Sequence, residues 1–482
     1  MLILSWYLPA ILRVFLSVKQ ILKYGVFLLA AFLSLIKTPI AEAYSTPDIY
    51  FSPDQRTITV SYDRGTWNLV RPVVPELNFP TAGKVYWVSA KGNDNYSGTQ
   101  TSPFATINKG IAVASAGDII YVTAGIYKQT VLIQKGGTSD SNPLVISSAP
   151  GDLGKVKILP PDNYLAGPIV TLQGNSAYYV WFNGFVVEGY RGYPGAPAQE
   201  TYSDVGIIFF NGAGQGDRIS NNVVYNHLHC GIKEEGHGGT NALIQGNIVF
   251  ENGTQGTDHG IYVPASYFTV DGNIIFNNAG YGIHSYSNPT GQVLSRNITF
   301  GNGAGGIIIA GDHNQVFNNT SVSNARGIFY FREGAAYNNV KNNLFVFNGS
   351  NNLDYDSGGS MNSYPQYNTD DYDDYFTSAD NYGISPYFVQ HNNTLGVHTM
   401  HFDPLFVNAA AGDFRLLPGS LASNAGSDGK NLGAFISQTV NLAGDLNQDG
   451  KVDIMDIRKV LIDFNNPYSI FDLSKVITNF GK

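Results

Sequence analysis

Among 482 residues there is a single cysteine, Cys230, so the chain can form no intrachain disulfide. Charge is scarce too: Asp, Glu, Lys and Arg together make up 13% of the chain, which does not suit long surface helices. The net charge of −9, the pI near 5.4 and the lack of a basic stripe in the body exclude nucleic acid as a partner. The apolar run Gly25 to Ile36 is too short to span a bilayer comfortably. Glycine, by contrast, is abundant at 54 residues, and aromatics reach 13%. That balance suits short strands joined by tight turns.

Two short phrases recur in phase. The first is Val205-Gly-Ile, Cys230-Gly-Ile, His259-Gly-Ile, Tyr281-Gly-Ile, Gly305-Gly-Ile and Arg326-Gly-Ile, with glycines 25, 29, 22, 24 and 21 residues apart. The second opens on Asn222, Asn247, Asn273, Asn297, Asn319 and Asn343, each followed by β-branched or apolar residues. Most of these phrases carry another asparagine five residues on (Asn252, Asn278, Asn302, Asn324, Asn348). In-phase repeats of this length, with β-branched runs between Gly and Asn turns, indicate a stacked β-solenoid, which escapes the size limit of one compact core by growing along its axis. The asparagines are expected to form an internal ladder of stacked amides.

The amino terminus reads as an export signal. Arg13, Lys19 and Lys23 precede the apolar run, and Ala41-Glu-Ala43 fits a small-x-small cleavage site. The alternative is an uncleaved anchor. The expected organisation is a signal peptide (1–43), a polar entry segment (44–84), the solenoid (85–360), a flank (361–440) and a terminal module (441–482).

After Val85-Tyr-Trp-Val, the stretch Ser102-Pro-Phe-Ala-Thr-Ile opens an amphipathic helix with Phe104, Ile107, Ile111 and Val113 on its apolar positions. This order, followed by Gly117-Asp-Ile-Ile-Tyr-Val and Gly125-Ile-Tyr, resembles the opening of secreted right-handed parallel β-helix proteins of the pectate-lyase-like superfamily. Asp403-Pro-Leu-Phe-Val-Asn and Gly412-Asp-Phe-Arg-Leu-Leu-Pro-Gly-Ser are similar to their closing segment. The resemblance covers roughly residues 85 to 435. It implies an all-β fold, a right-handed parallel β-helix with an N-terminal capping helix. It also implies uronate lyases, C5-epimerases or hydrolases, among which fold alone does not choose.

The tail carries a twelve-residue calcium loop. Oxygen ligands fall at Asp445, Asn447, Asp449, Asp453 and Asp456, Lys451 lies within the loop, and Gly450 sits at its sharp turn. Asp in place of Glu at the last position resembles type I dockerin modules. So does the repeat of Ile454-x-Asp456-x-x-Lys459-Val460 as Ile470-x-Asp472-x-x-Lys475-Val476. Asn465-Asn-Pro-Tyr-Ser replaces the second loop, so one Ca2+ is expected in this small α-helical EF-hand module. Its partner would be a cohesin-type scaffold protein or the β-helix itself, and the chain is expected to be a monomer.

Strand alternation then selects a site. If the Ile after each Gly points inward, the next residue points outward. Those outward residues are Ile208, Lys233, Tyr262, His284, Ile308 and Phe329, polar only in the middle. Two residues on come Phe210, Glu235, Pro264, Tyr286, Ala310 and Phe331. Asp258 and His259 lead into the Tyr262 strand, Glu234 and His237 follow Lys233, and Arg332 follows Phe331. One chemistry for such a face is β-elimination from a uronate polysaccharide, with Lys233 or Tyr262 as base and His284 as acid or carboxylate neutraliser. Asp258 and His259 would orient these groups or bind metal, and Asp258, Glu234 and Glu235 could hold a second calcium. His237, Tyr286 and Arg332 would contact substrate. Glycoside hydrolysis by paired carboxylates from Asp258, Glu235 and Asp204 is the alternative. A non-catalytic surface solenoid is a third reading. The acidic run Asp370-Asp-Tyr-Asp-Asp-Tyr-Phe is expected to be a solvated loop.

Overall fold

In the computed structural model, residues 46–435 are described except 81–82, 163–166, 192–203, 236–238, 287, 333, 357–363 and 378–381, together with 457, 475–477 and 479. The leader and the calcium loop lie outside the described residues. Three long parallel sheets dominate. A nine-stranded sheet runs from Val131–Ile133 to Asn351–Tyr355, a twelve-stranded one from Val85–Val88 to Thr394–Leu395, and a ten-stranded one from Gly125–Lys128 to Asp374–Phe376. Strands pair in parallel with those one coil before and after, and each complete coil contributes one strand to each sheet. This is a parallel β-helix, consistent with the right-handed form. The coils continue past residue 360, since Thr369–Asp371 and Asp374–Phe376 form further strands.

The corners explain the asparagine phrase. A residue with left-handed backbone precedes each ladder position: Asn221, Gly246, Gly272, Arg296, Asn318, Asn342 and Tyr372 have φ between 53° and 64°. Gly and Asn suit this region best, which is why they recur there. The following asparagines then stack. The backbone N–H of Asn222 donates to Oδ1 of Asn247 at 2.9 Å, and Asn247, Asn273, Asn297 and Asn319 repeat the bond toward the next coil at 2.8–3.1 Å. Each Nδ2 also donates to the next Oδ1, as Asn247 does to Asn273 at 2.9 Å. The amides thus satisfy backbone groups that would otherwise be buried unpaired.

A second ladder runs through Asn252, Asn278, Asn302, Asn324 and Asn348 to Asn352. Its first place is held by His227, whose N–H donates to Asn252. Asn226 is the left-handed residue before it. A third ladder joins Gln292, Asn314, Asn338, Asn368 and Asn393.

The interior is filled by the Ile of the first phrase. Ile207, Ile232, Ile261, Ile283, Ile307 and Ile328 are all 0% exposed. The helix α1 spans Ile107–Val113, with Thr106 as N-cap accepting from the Lys109 N–H. Phe104 falls outside it and bridges Val88, because the helix begins only after the cap. Buried Ile107 and Ile111 turn its apolar face toward the strands Val85–Val88, Ile119–Val122 and Val131–Ile133.

The entry segment forms an antiparallel sheet, β1 (Asp48–Phe51), β2 (Thr57–Tyr62) and β3 (Gly65–Val70). It lies over an aromatic column on the ten-stranded sheet, in which Tyr225, Phe250, Phe276 and Phe300 stack at 4.7–5.0 Å. Tyr62 and Trp67 contact Phe250 and Phe276 at 5.7 and 5.6 Å between ring centroids. The Tyr62 hydroxyl donates to Glu251 at 2.7 Å and accepts from Asn277. A column that would otherwise be an exposed apolar stripe is thereby covered.

The acidic run is not a solvated loop. It supplies strands to two sheets, and Asp370, Asp373 and Asp374 are each 0% exposed. Asp370 accepts from the hydroxyls of Tyr330 and Tyr375, and Asp373 ends the first asparagine ladder. Burial pushes the carboxyl of Asp374 up to about 7 and that of Asp370 up to about 6.

Candidate functional site

The outward row of the nine-stranded sheet reads, coil by coil, Leu132, Thr171, Ile208, Lys233, Tyr262, His284, Ile308, Phe329 and Asp354. Lys233, Tyr262 and His284 are therefore direct neighbours on adjacent strands. Lys233 Nζ pairs with Glu235 Oε2 at 3.0 Å and lies 6.0 Å from the Tyr262 ring centre. The Tyr262 and His284 rings are 5.2 Å apart. His259 reaches the same spot from the turn before, with its ring 3.9 Å from His284 in an edge contact. Tyr286 stacks on His284 at 5.1 Å. Arg332 donates to the Tyr286 hydroxyl at 3.1 Å and lies over the Phe331 ring at 4.6 Å.

The protonation states follow from this crowding. Burial pushes His284 down to about 3, so its imidazole is neutral. Its Nδ1 has no hydrogen-bond partner among the described residues. His259 is also held well below the ordinary range by burial, then by His284. Its Nδ1 accepts from the Tyr281 N–H at 3.0 Å, which assigns the proton to Nε2. Burial raises the Tyr262 phenol to about 12 and keeps it protonated.

The carboxylates form no metal-holding group among the described residues. Asp258 is 0% exposed and caps its own loop, accepting from the N–H groups of Thr254 and Gln255 at 2.6 and 2.8 Å. Glu234 is also 0% exposed and alternates to the opposite side from Lys233. Only Glu235 faces the groove. The expected calcium set of Asp258, Glu234 and Glu235 is therefore not assembled, because alternation and a loop cap send the three groups in different directions. Asp204 is occupied by the Tyr190 hydroxyl and the Gly167 N–H. His237, like Asp445, Asn447, Asp449, Lys451, Asp453 and Asp456, lies outside the described residues.

Three neighbours escaped the sequence reading as site residues. His229 Nε2 is 3.9 Å from Asp258 Oδ1, and its Nδ1 accepts from the Cys230 N–H at 2.7 Å. Tyr281 stacks with His284 at 5.5 Å. Arg326 bonds the Tyr281 hydroxyl at 2.8 Å and pairs with Asp354 at 2.6 Å. The signal was in the repeat itself. Tyr281 and Arg326 are the residues just before Gly282 and Gly327 of the first phrase, and His229 precedes Cys230-Gly231 by one.

A family model described as periplasmic copper-binding protein (NosD) matches residues 170–382, and one described as protein of unknown function (DUF1565) matches residues 90–136. No curated protein matches the sequence significantly. Among solved structures, the chain is similar to pectate lyase Pel9A, with a TM-score of 0.53 and 16% identity over 74% of this chain and 98% of that one. It also aligns with the GH136 lacto-N-biosidase from Eubacterium ramulus, at a TM-score of 0.47 and 13% identity over 66% and 67% of the two chains. The likeness to Pel9A shows the fold, a parallel β-helix resembling that of a pectate lyase. Among the described residues the groove offers no ready copper site. Nδ1 of His229, Nδ1 of His259 and Sγ of Cys230 each accept a backbone N–H. Among the described residues no three His, Cys, Asp or Glu are arranged to hold a metal.

Proposed function

We propose that the chain is an exported carbohydrate-active enzyme, a lyase that cleaves a uronate-containing polysaccharide by β-elimination. The observation that carries this reading is the side-by-side placement of Lys233, Tyr262 and His284 with one groove-facing carboxylate, Glu235. A hydrolase needs two carboxylates within about 5–10 Å. The next carboxylate in the Lys233 row, Asp354, is five coils on, about 24 Å at the usual strand spacing.

The protonation states favour one division of labour. A neutral His284 cannot offset a carboxylate charge, so Lys233 takes that role, exchanging Glu235 for the substrate's carboxylate. His284 then accepts the C5 proton, aided by the bound carboxylate, which raises its proton affinity. The C5–H electrons form the C4=C5 double bond, the C4–O bond breaks, and the Tyr262 hydroxyl protonates the departing oxygen. His259 and Tyr281 hold the His284 ring in place.

Export fits the apolar leader and the periplasmic family description. In the same reading α1 covers the first coil, and the 441–482 module binds one Ca2+ and docks to a cohesin-type partner or to the β-helix itself. The test is incubation with polygalacturonate, alginate and chondroitin, following the ultraviolet absorbance of the conjugated product. New reducing ends without that absorbance would replace the lyase by a hydrolase. Retained binding with neither would make the solenoid a non-catalytic carbohydrate receptor.

A further inference from the structure

The groove is not symmetric about the Lys233–Tyr262–His284 block. Toward the later coils it carries Tyr286, Phe331 and the exposed Arg332. Toward the earlier coils it opens into a cavity of about 460 Å³ lined by Leu132, Pro168, Thr171, Gln173, Ile208, Phe210 and Glu235. These residues follow the same two outward rows, since Thr171 pairs with Ile208 and Ile208 with Lys233, while Gln173 pairs with Phe210 and Phe210 with Glu235. Thus the cavity continues the candidate site along the axis, coil by coil. No Lys, Arg or His is among the described residues lining it. Among those described residues the one charge is the carboxylate of Glu235, and its counter-ion, Lys233, belongs to the central block.

We infer that this half of the groove holds an uncharged sugar unit beside the uronate, so that the preferred polymer alternates uronate with neutral sugar. The inference rests on the uronate reading above and narrows its substrate class. A second uronate placed here would bring its carboxylate into a low-dielectric wall, near Glu235, with no Lys, Arg or His among the described lining residues to compensate. A neutral pyranose instead sets its C–H face on Ile208, Phe210 and Leu132 and its hydroxyls on Gln173 and Thr171. Such mixed lining, mostly apolar with a few polar groups, is usual for small-molecule sites. On the opposite side Arg332 offers a guanidinium for a carboxylate, so the sign of the sugar's charge sets its direction along the groove.

The experiment is titration calorimetry of the full chain with two oligosaccharides of equal length. One is a rhamnogalacturonan fragment, alternating uronate and neutral deoxy sugar, and the other is oligogalacturonate. The alternating oligomer is expected to bind at least tenfold tighter. Gln173→Lys places a cation in the cavity and should cut that ratio at least tenfold, and Thr171→Arg should act in the same direction. Equal or tighter binding of oligogalacturonate by the wild type overturns the inference, as does binding of neither oligomer or a ratio untouched by both variants. Unsaturated product from oligogalacturonate at undiminished affinity would keep the lyase reading and sink this one. Tight binding of the alternating oligomer without product would do the reverse.

Discussion

Asn343 donates both its backbone N–H and its side-chain amide to one oxygen of Asp373, at 2.6 and 2.8 Å. A ladder of asparagines six coils long therefore ends on a carboxyl, inside the solenoid and beside Asp370. Burial, then the neighbouring Asp370, raises Asp373 well above its ordinary value of 3.8. The folded chain holds a proton that the unfolded chain releases.

The sign of the pH effect follows. A carboxyl whose folded pKa is raised contributes most below about pH 4, and that contribution is lost as pH rises through the folded value. Asp373→Asn keeps the acceptor and removes the titration. Relative to wild type, the variant should gain stability as pH rises above about 4, at roughly 1.4 kcal/mol per pH unit until the folded value is passed. Denaturant midpoints across that range test this. A variant no more stable at pH 7 than at pH 4, relative to wild type, would mean that the carboxyl is ionised in the fold.

Tyr262→Phe and His284→Ala should each lower turnover about a hundredfold or more while leaving the unfolding midpoint nearly unchanged. Wild-type rates in both would place the chemistry on another face. With His284 at about 3 and Tyr262 at about 12, neither limb of the kcat/KM profile should fall at an ordinary histidine value. An acid limb near pH 6.5 would show that the imidazole is not desolvated in the free enzyme.

Asn297 sits in mid-ladder, donating to the Val270 carbonyl at 2.8 Å and accepting from the Asn273 N–H at 3.1 Å. Asn297→Ala strands both groups in the interior and should cost about 2–4 kcal/mol, read by chemical denaturation. A loss below about 0.5 kcal/mol would mean that water replaces the amide.

The calcium loop gives a prediction independent of the groove. One Ca2+ per chain should bind, and Asp445→Ala combined with Asp449→Ala should abolish the binding in calorimetry. Two equivalents for the wild type would show that the curtailed second half still coordinates. Binding that survives the double substitution would place the ion elsewhere.

Much of the fold was legible because a coil repeats its local needs. Every corner wants a left-handed residue and an amide behind it, so Gly246-Asn247, Gly272-Asn273 and Asn318-Asn319 announce the turns directly. Register followed from the Gly-Ile phrase, because a strand that slips by one would turn its Ile row into solvent. The Lys233, Tyr262 and His284 alignment came from the same rule. The acidic run was misread because its carboxylates look like surface residues. Only their neighbours, Tyr330, Tyr375 and Asn343, make burial tolerable, and those lie up to 40 residues away. The strap of β1 to β3 was equally hidden, since the column it covers becomes continuous only once the coils are stacked.

The linear order of residues determined the period, the corners and which side chains share a row, because these depend on interactions within one coil or between adjacent ones. Tertiary structure decided the direction in which each carboxylate points and the charge its neighbours allow. Asp258 closes a loop, Glu234 turns inward and Glu235 alone faces the groove. Desolvation depends on everything packed around a group, and no local stretch of chain contains that information.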